Sequence, residues 1–346
     1  MRAPPDSRRR SAGGRRRNYT LADVAERAGV SEITVSRVLR DKGPISLKTR
    51  ERVMTAVAHL GYMPNRIAGT LASAGSNLIG VVLSSLTNNV FADVLGGIHS
   101  VLAPAGYQPV VSVTDYDEAE EERIVASLLA WQPAAMIVSG VNHTAATRLM
   151  LARAHGRVAE IMDIDSAPLD LGVGFSHRAA GYDTARHLCA RGYRRFGYVG
   201  LDRARDPRAA LRYEGMMRGL SEAGLSLFAE AAAEFPTSTQ GGRRLLAELL
   251  EREPALDVVV FSNDDMAVGG FFHCLAAGIR PREDLALFGF NALEIGQSLP
   301  MPLSTIRSRR DTIGRIAATH ILETPLRPPE PTIIDTGYEI VEGATA

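Results

Sequence analysis

Polar side chains that could hold a small ligand recur in this chain just beyond runs of apolar residues. Ser84 and Ser85 close the run over 79–85, and Asn88 follows. Ser139 ends the run over 134–140, Asn263 and Asp264 follow VVVFS, and Asn291 follows LALFGF. Arg212 lies on a helical stretch after FGYVG. Neutral donors and acceptors around one fixed cation suit a small polyhydroxylated acid or sugar derivative. Hydroxyl groups need paired donors and acceptors, and a guanidinium fork suits a carboxylate or phosphate. Taken singly, each of these residues is an ordinary loop or cap group; their recurrence at strand ends carries the ligand reading. Asp163 and Asp165, two apart in an extended run, would face the same side and could serve acid–base chemistry or a metal. No third ligand accompanies them. A ligand contact for Asp163 fits better, because ligands bind beyond the carboxyl ends of strands in open α/β sheets.

Enzyme chemistry finds little support. The chain has no phosphate-binding G-x-x-x-x-G-K-[ST], no G-x-G-x-x-G after the first apolar run and no G-x-S-x-G. Its eight histidines show no zinc spacing. No cofactor and no metal are expected.

The elements that position these residues alternate. Apolar runs at 79–85, 109–113, 134–140 and 159–164 read as buried strands, and amphipathic stretches at 91–105, 118–131 and 144–155 read as helices between them. A second set has strands at 172–176, 196–200, 231–235, 257–263 and 285–291. Its helices are at 179–190, 208–223, 239–252 and 266–277. Alternating βα units imply parallel sheets covered on both faces, here as two lobes. A helix at 312–322 and a last strand near 332–342 return the chain to each lobe in turn.

Residues 20–73 differ. Leu21, Val24, Ala25 and Ala28 form one helical stripe, Thr20 and Asp23 mark its start, and Gly29 breaks it. Ser31 begins a second helix with Val35, Val38 and Leu39 apolar. Two short helices joined by a glycine turn form a helix-turn-helix, whose second helix can enter a DNA major groove. Val53, Ala56, Val57 and Leu60 close a three-helix core, and Gly61 ends it. Pro64 then breaks the chain before a short run of small residues, 65–72, too brief to be a stable helix alone.

Whole-chain properties agree with a DNA partner for one end. Residues 1–75 hold 15 Lys or Arg against 6 Asp or Glu, although the chain of 346 residues is neutral overall. A basic segment on an acidic body points to a polyanion. Residues 1–18, with Arg8–Arg10 and Arg15–Arg17, read as a disordered arm. Two cysteines far apart read as reduced thiols. No apolar run spans a membrane and no export signal precedes the body, so a cytoplasmic protein is expected.

The stretches LADVAERAGVS, TVSRVLR, RERVMTAVAHLGYMPNRIAGTLAS and IGVVLSSLTNNVFADVLGGI resemble the lac repressor and galactose repressor family of bacterial transcription regulators, over roughly 19–343. LSSLTNNVFADVL, GFSHRAAGYD and LFGFNALEIGQ resemble its gluconate-utilisation branch. The resemblance implies an all-α helix-turn-helix domain (19–63), a hinge helix and linker (64–76) and a two-lobed α/β domain like periplasmic binding proteins (77–346). Lobe one would take 77–176 and 305–325, lobe two 177–304 and 326–343. It implies that Ser31, Glu32, Ile33, Thr34, Ser36 and Arg37 face the major groove, Glu32 and Ile33 choosing the operator. Thr20, Leu21, Asn65 and Ala68 would join the DNA-facing set, and Leu71 would wedge into the minor groove. It places Ser84, Asn88, Phe91, Ser139, Asp163, Arg212, Asn263 and Asn291 around an effector between the lobes. Many family members carry Asp where Asn291 stands, and an amide there suits an anionic ligand better. Pro236 replaces an aromatic residue that some sugar binders use, which argues against ring stacking.

The resulting expectation is a dimeric repressor on a pseudo-palindromic operator, controlled by a sugar-acid or sugar-derived effector, with the 91–105 helix in the dimer face. The alternatives are a sugar-binding protein or sugar enzyme with an incidental helical extension, and a nonspecific DNA binder. Each predicts something else: export or turnover in the first case, a steep salt dependence with little sequence preference in the second.

Overall fold

The computed structural model describes residues 19–39, 43–63, 76–233 and 237–346. The arm, the run over 65–72 with Asn65, Ala68 and Leu71, and Pro236 lie outside the described residues. The chain forms two compact units, divided between Ala74 and Gly75.

The first unit holds α1 (Leu21–Ala28), α2 (Glu32–Leu39) and α3 (Leu47–Leu60). Thr20 caps α1 reciprocally with Asp23: Thr20 Oγ1 accepts from Asp23 N at 3.3 Å, and Thr20 N donates to Asp23 Oδ2 at 2.7 Å. At the other end Gly29 takes φ 61°, a left-handed value that costs glycine nothing, and Arg52 Nη2 donates to Gly29 O at 3.2 Å. Val24, Val35 and Val53, one from each helix, are fully buried together.

The second unit opens with β1 (Leu78–Leu83), α4 (Val90–Leu102), β2 (Gln108–Val113), α5 (Glu118–Ala130), β3 (Ala135–Ser139), α6 (Ala145–Ala152), β4 (Arg157–Ile161) and β5 (Leu171–Gly174). It continues with α7 (His177–Ala190), β6 (Phe196–Leu201), α8 (Pro207–Glu222), β7 (Leu227–Ala233), α9 (Thr239–Arg252), β8 (Val258–Phe261), α10 (Asp264–Ala277) and β9 (Ala286–Phe288). The last elements are α11 (Glu294–Gln297), β10 (Thr305–Ser308), α12 (Arg310–Glu323), β11 (Thr332–Asp335) and β12 (Tyr338–Val341). Lobe one is a parallel sheet in the order β11-β5-β4-β3-β1-β2; lobe two is a parallel sheet in the order β7-β6-β8-β9. Strands β1, β3, β4, β6 and β8 are buried almost throughout, which explains their unbroken apolar runs.

The C-terminal part departs from expectation. The final strand is two strands, not one, because Gly337 turns the chain at φ 65°. Strand β11 pairs with β5 in lobe one, whereas the stretch 326–343 was expected in lobe two. Strand β12 instead pairs antiparallel with β10. Three segments therefore cross between the lobes: β5 to α7, β10 to α12, and β11 to β12. Phe175, Phe290 and Tyr338, one beside each crossing, cluster there, with Phe175 6.2 Å from Phe290 and 5.9 Å from Tyr338 between ring centres.

Three helix pairs pack backbone to backbone through glycine. A Cβ on Gly181 of α7 would lie 1.9 Å from Arg212 O, and one on Gly215 of α8 would lie 1.9 Å from Arg178 O. Gly97 with Gly314 joins α4 to α12 in the same reciprocal way, and Gly242 with Gly269 joins α9 to α10.

Candidate functional site

The carboxyl ends of both parallel sheets face a cleft between the lobes, as open α/β sheets dictate. Two spaces occupy it, of about 150 Å³ and about 30 Å³, and Tyr116 and Arg208 line both. Ser84, Ser139 and Asp163 line the larger; Asn88, Arg212, Asn263 and Asn291 line the smaller. Seven of the eight predicted residues thus converge. Phe91 does not reach either space: it is fully buried, with the Arg208 guanidinium carbon 5.4 Å from its ring centre.

The serines and asparagines are positioned by the elements they end. Ser84 and Ser139, after β1 and at the end of β3, share a hydrogen bond of 2.8 Å. Asn263 caps α10, its Oδ1 accepting from Met266 N at 3.0 Å, which leaves its amide nitrogen on the cleft side. Asn291 sits at φ 113°, held by its N–H donating to Ile306 O at 2.8 Å and its carbonyl accepting from Arg310. Asp264 serves structure: it accepts from Thr305 Oγ1 at 2.7 Å and Leu293 N at 2.6 Å, and burial pushes its carboxyl up to about 6.

Asp163 and Asp165 do not share a strand face. Strand β4 ends at Ile161, and Met162 takes φ 79°, so alternation stops before Asp163. Asp165 N then donates to Asp163 Oδ1 at 2.8 Å, and Asp165 turns to Ser176 Oγ and Arg178 N at the start of α7. Asp163 Oδ2 is buried, faces the cleft and meets no hydrogen-bond partner among the described residues. Burial, more than the neighbouring Asp165 charge, raises its pKa above the usual carboxylate value. Among the described residues no cluster of His, Cys, Asp and Glu could hold a metal ion.

Two arginines of one helix, Arg208 and Arg212, line the cleft, and they differ in how far their hydrogen-bonding capacity is already used. Arg212 is committed: Nη1 donates to His177 Nδ1 at 3.0 Å, Nη2 to Ser262 O at 3.2 Å, and the guanidinium stacks 4.3 Å from the Phe290 ring centre. His177 Nε2 lies 2.9 Å from Met162 O, an acceptor only, so Nε2 carries the proton and Nδ1 accepts from Arg212. Burial and the two arginines hold His177 well below the usual histidine range, hence neutral. Arg208, one helical turn before Arg212, is the cation with capacity to spare. Its Nη2 donates to Ser84 Oγ at 3.3 Å, its Nε lies 3.8 Å from Asp206 Oδ1, and its buried Nη1 has no partner among the described residues. The signal for it was present in the sequence: Arg208 and Arg212 stand four apart, on one face of one helix.

Behind the lobe-one wall, His143 Nδ1 meets Glu121 Oε1 at 2.6 Å and Nε2 lies 3.4 Å from Glu160 Oε1. Burial alone would lower this imidazole, but the two carboxylates outweigh it and raise it to about 9. Because that value exceeds the ordinary 6.5 of an unfolded histidine, the stabilisation is complete below about pH 6.5 and fades as pH rises through 9. Urea unfolding at pH 7 and pH 9.5 should differ by roughly 2 kcal/mol from this group. In His143→Gln that part of the difference should vanish; an unchanged pH dependence in the variant refutes the assignment.

On the helix-turn-helix, Val35 and Val38 point into the core, while Ser31, Glu32, Ile33 and Arg37 form the exposed face of α2. Ile33 is 67% exposed, a large apolar side chain free to meet an apolar group of a partner. Thr34 and Ser36 are half-buried; Thr34 N donates to Ser31 Oγ at 3.3 Å. Thr20 is the α1 cap described above and Leu21 packs on the core.

Residues 20–65 match the model of bacterial regulatory proteins of the lacI family, and residues 76–334 match that of periplasmic binding proteins and the sugar binding domain of the LacI family. The chain belongs to the LacI family. The HTH-type transcriptional regulator GntR of Pseudomonas aeruginosa is 37% identical over 325 residues, covering 93% of this chain and 94% of that one. A LacI-family transcriptional regulator from Silicibacter pomeroyi, solved as a crystal structure, is 42% identical with a TM-score of 0.89, covering 94% of this chain and 99% of that one. The lac repressor dimer bound to operator and the anti-inducer ONPF matches with a TM-score of 0.80 at 26% identity, covering 95% of this chain and 99% of that one. This LacI-family member is therefore a DNA-binding transcriptional regulator of the gluconate-repressor branch, and not an enzyme. Among its described residues no helix is long and apolar enough to cross a membrane.

Proposed function

We propose that this chain is a cytoplasmic, dimeric repressor of sugar-acid utilisation genes, controlled by a gluconate-type sugar acid held in the interlobe cleft. One observation carries the ligand class. Arg208 and Asp163 line one cavity with Ser84, Ser139 and Asn142, and a guanidinium N–H of the first and a carboxylate oxygen of the second are buried with no partner among the described residues. A polyhydroxy acid supplies an anion for the first and a hydroxyl donor for the second. Closure of the cleft on the ligand acts through the three crossing segments. The effect on DNA requires unequal effector affinity in the DNA-bound and free states.

On the DNA side, α2 offers Arg37 as the guanine reader and Ile33 as a contact for a thymine methyl. Gel-shift titration on the DNA upstream of the chain's own gene should show one specific, two-fold site occupied by a dimer. Millimolar D-gluconate should change that affinity. Arg37→Ala should weaken the specific site roughly tenfold to a hundredfold, from about 1–3 kcal/mol of lost base discrimination, while affinity for random DNA changes less. The reading fails if no specific site is found, or if no sugar acid alters binding to it.

A further inference from the structure

The two walls of the larger cleft space carry opposite charge. Lobe one contributes Asp117, Glu118, Glu121 and Asp163; lobe two contributes Arg205 and Arg208. These charges differ in how far they are already answered. Asp117 Oδ1 accepts from Ala119 N and Glu120 N at 2.8 and 3.0 Å, so the first-turn N–H groups of α5 that it caps have no reach left for an incoming anion. Glu121 is held by His143, and Glu118 is exposed at the rim. Among the described residues, one Asp163 oxygen on the anionic wall and one Arg208 N–H group on the cationic wall have no partner.

Resting on the sugar-acid reading above, we infer that the cleft selects a monoanionic sugar acid with an unsubstituted hydroxyl tail and discriminates against the same acid carrying a second anion. The carboxylate pairs with Arg208 on lobe two. The tail crosses to lobe one, where a hydroxyl donates to Asp163 Oδ2 and others meet the Ser84 and Ser139 hydroxyls. A phosphate or second carboxylate at the tail end would face Asp117 and Glu118 beside Asp163, while the second cation of the cavity, Arg205, stands with Arg208 on the opposite wall. Like charges brought together in a partly desolvated cleft repel strongly. The same wall does not penalise a neutral polyol, but a polyol leaves Arg208 Nη1 buried without a partner. The ligand that answers both walls has one charged end and one hydroxyl end.

Isothermal titration of the full chain with four probes tests this: D-gluconate, D-gluconate 6-phosphate, D-glucarate and D-glucitol. D-gluconate should bind tightest. D-glucarate and the 6-phosphate, each with a second anionic group, should bind at least tenfold more weakly, and D-glucitol about a hundredfold more weakly. In Asp163→Asn the gap between D-gluconate and its 6-phosphate should at least halve, because one carboxylate of the wall is gone while Asp117 and Glu118 remain. Should that variant lose its cooperative melting transition, Glu118→Gln at the exposed rim gives the same reading, with a gap at least halved. If D-glucarate or the 6-phosphate binds the unaltered chain as tightly as D-gluconate, the inference is overturned and the sugar-acid reading stands. Failure of all four probes to bind a chain that still occupies its operator overturns the sugar-acid reading itself.

Discussion

Arg208→Gln is expected to lower affinity for D-gluconate by roughly a hundredfold, from about 3 kcal/mol of lost charge-assisted hydrogen bonding. The estimate follows from the environment of this side chain. Its guanidinium lies 5.4 Å from the Phe91 ring centre and 5.8 Å from that of Tyr116, one hydrogen bond reaches Ser84 across the cleft, and Asp206 is its nearest carboxylate. Burial penalises the charge, yet Tyr116, then Asp206 and Asp163, raise the pKa above the usual arginine value, so the group stays cationic. Glutamine keeps a donor but loses the charge and the fork. Arg208→Lys, which keeps the charge alone, should fall between the two. Arg212→Ala would instead act through structure, because that side chain holds His177 and the carbonyl of Ser262. The measurement is a titration of each variant with D-gluconate beside a melting curve. Arg208→Gln binding within threefold of the unaltered chain would remove Arg208 from the anion site.

Gly215→Val should cost roughly 3 kcal/mol or more of folding stability, read as a lowered urea midpoint of the second unit. Even the first carbon of the new side chain would stand 1.9 Å from the carbonyl oxygen of Arg178, a backbone atom that cannot swing aside. Helix α8 would have to lift off α7, and it carries both Arg208 and Arg212. The variant should therefore lose D-gluconate affinity as well as stability. A normal urea midpoint would show that the two helices are not packed as closely as described. Gly215, three residues after Arg212, is thus explained by helix contact.

Much of this molecule could be read from residue order. The three-helix unit was legible because Val24, Val35, Val38, Val53 and Ala56 recur at helical spacing between cap residues, and caps are local. The sheets were legible because strands covered on both faces become plain apolar runs. What escaped depends on groups distant in sequence. The break at Gly337 looked like one strand because Thr332–Asp335 and Tyr338–Val341 are both strand-like, and only their pairing with β5 and β10 separates them. Asp163 and Asp165 looked like a strand pair until Met162 adopted a left-handed backbone. Phe91 was assigned to the cleft by likeness, yet its ring is core. Arg208 is not singled out by the sequence, because a guanidinium's spare hydrogen-bonding capacity depends on partners that sequence does not reveal. The mid-helix glycines were a signal left unread: a helix tolerates such a residue at about 1 kcal/mol relative to alanine, so three reciprocal pairs mark three places of close approach.

The three segments that cross between the lobes set the kind of motion available to this protein. Two bodies joined by a single tether could slide, twist or separate. Joined by three adjacent tethers, with Phe175 and Tyr338 of two of them packed beside Phe290 of lobe two, they retain essentially one soft coordinate, a rotation about the line those tethers share. A ligand bridging Arg208 on one lobe and Asp163 on the other therefore acts like a hand on a door: wherever it grips, the same angle changes. Chemically different ligands would then yield graded amounts of one response instead of different responses, and a substitution beside Phe175, Phe290 or Tyr338 would reset the resting angle for all of them at once.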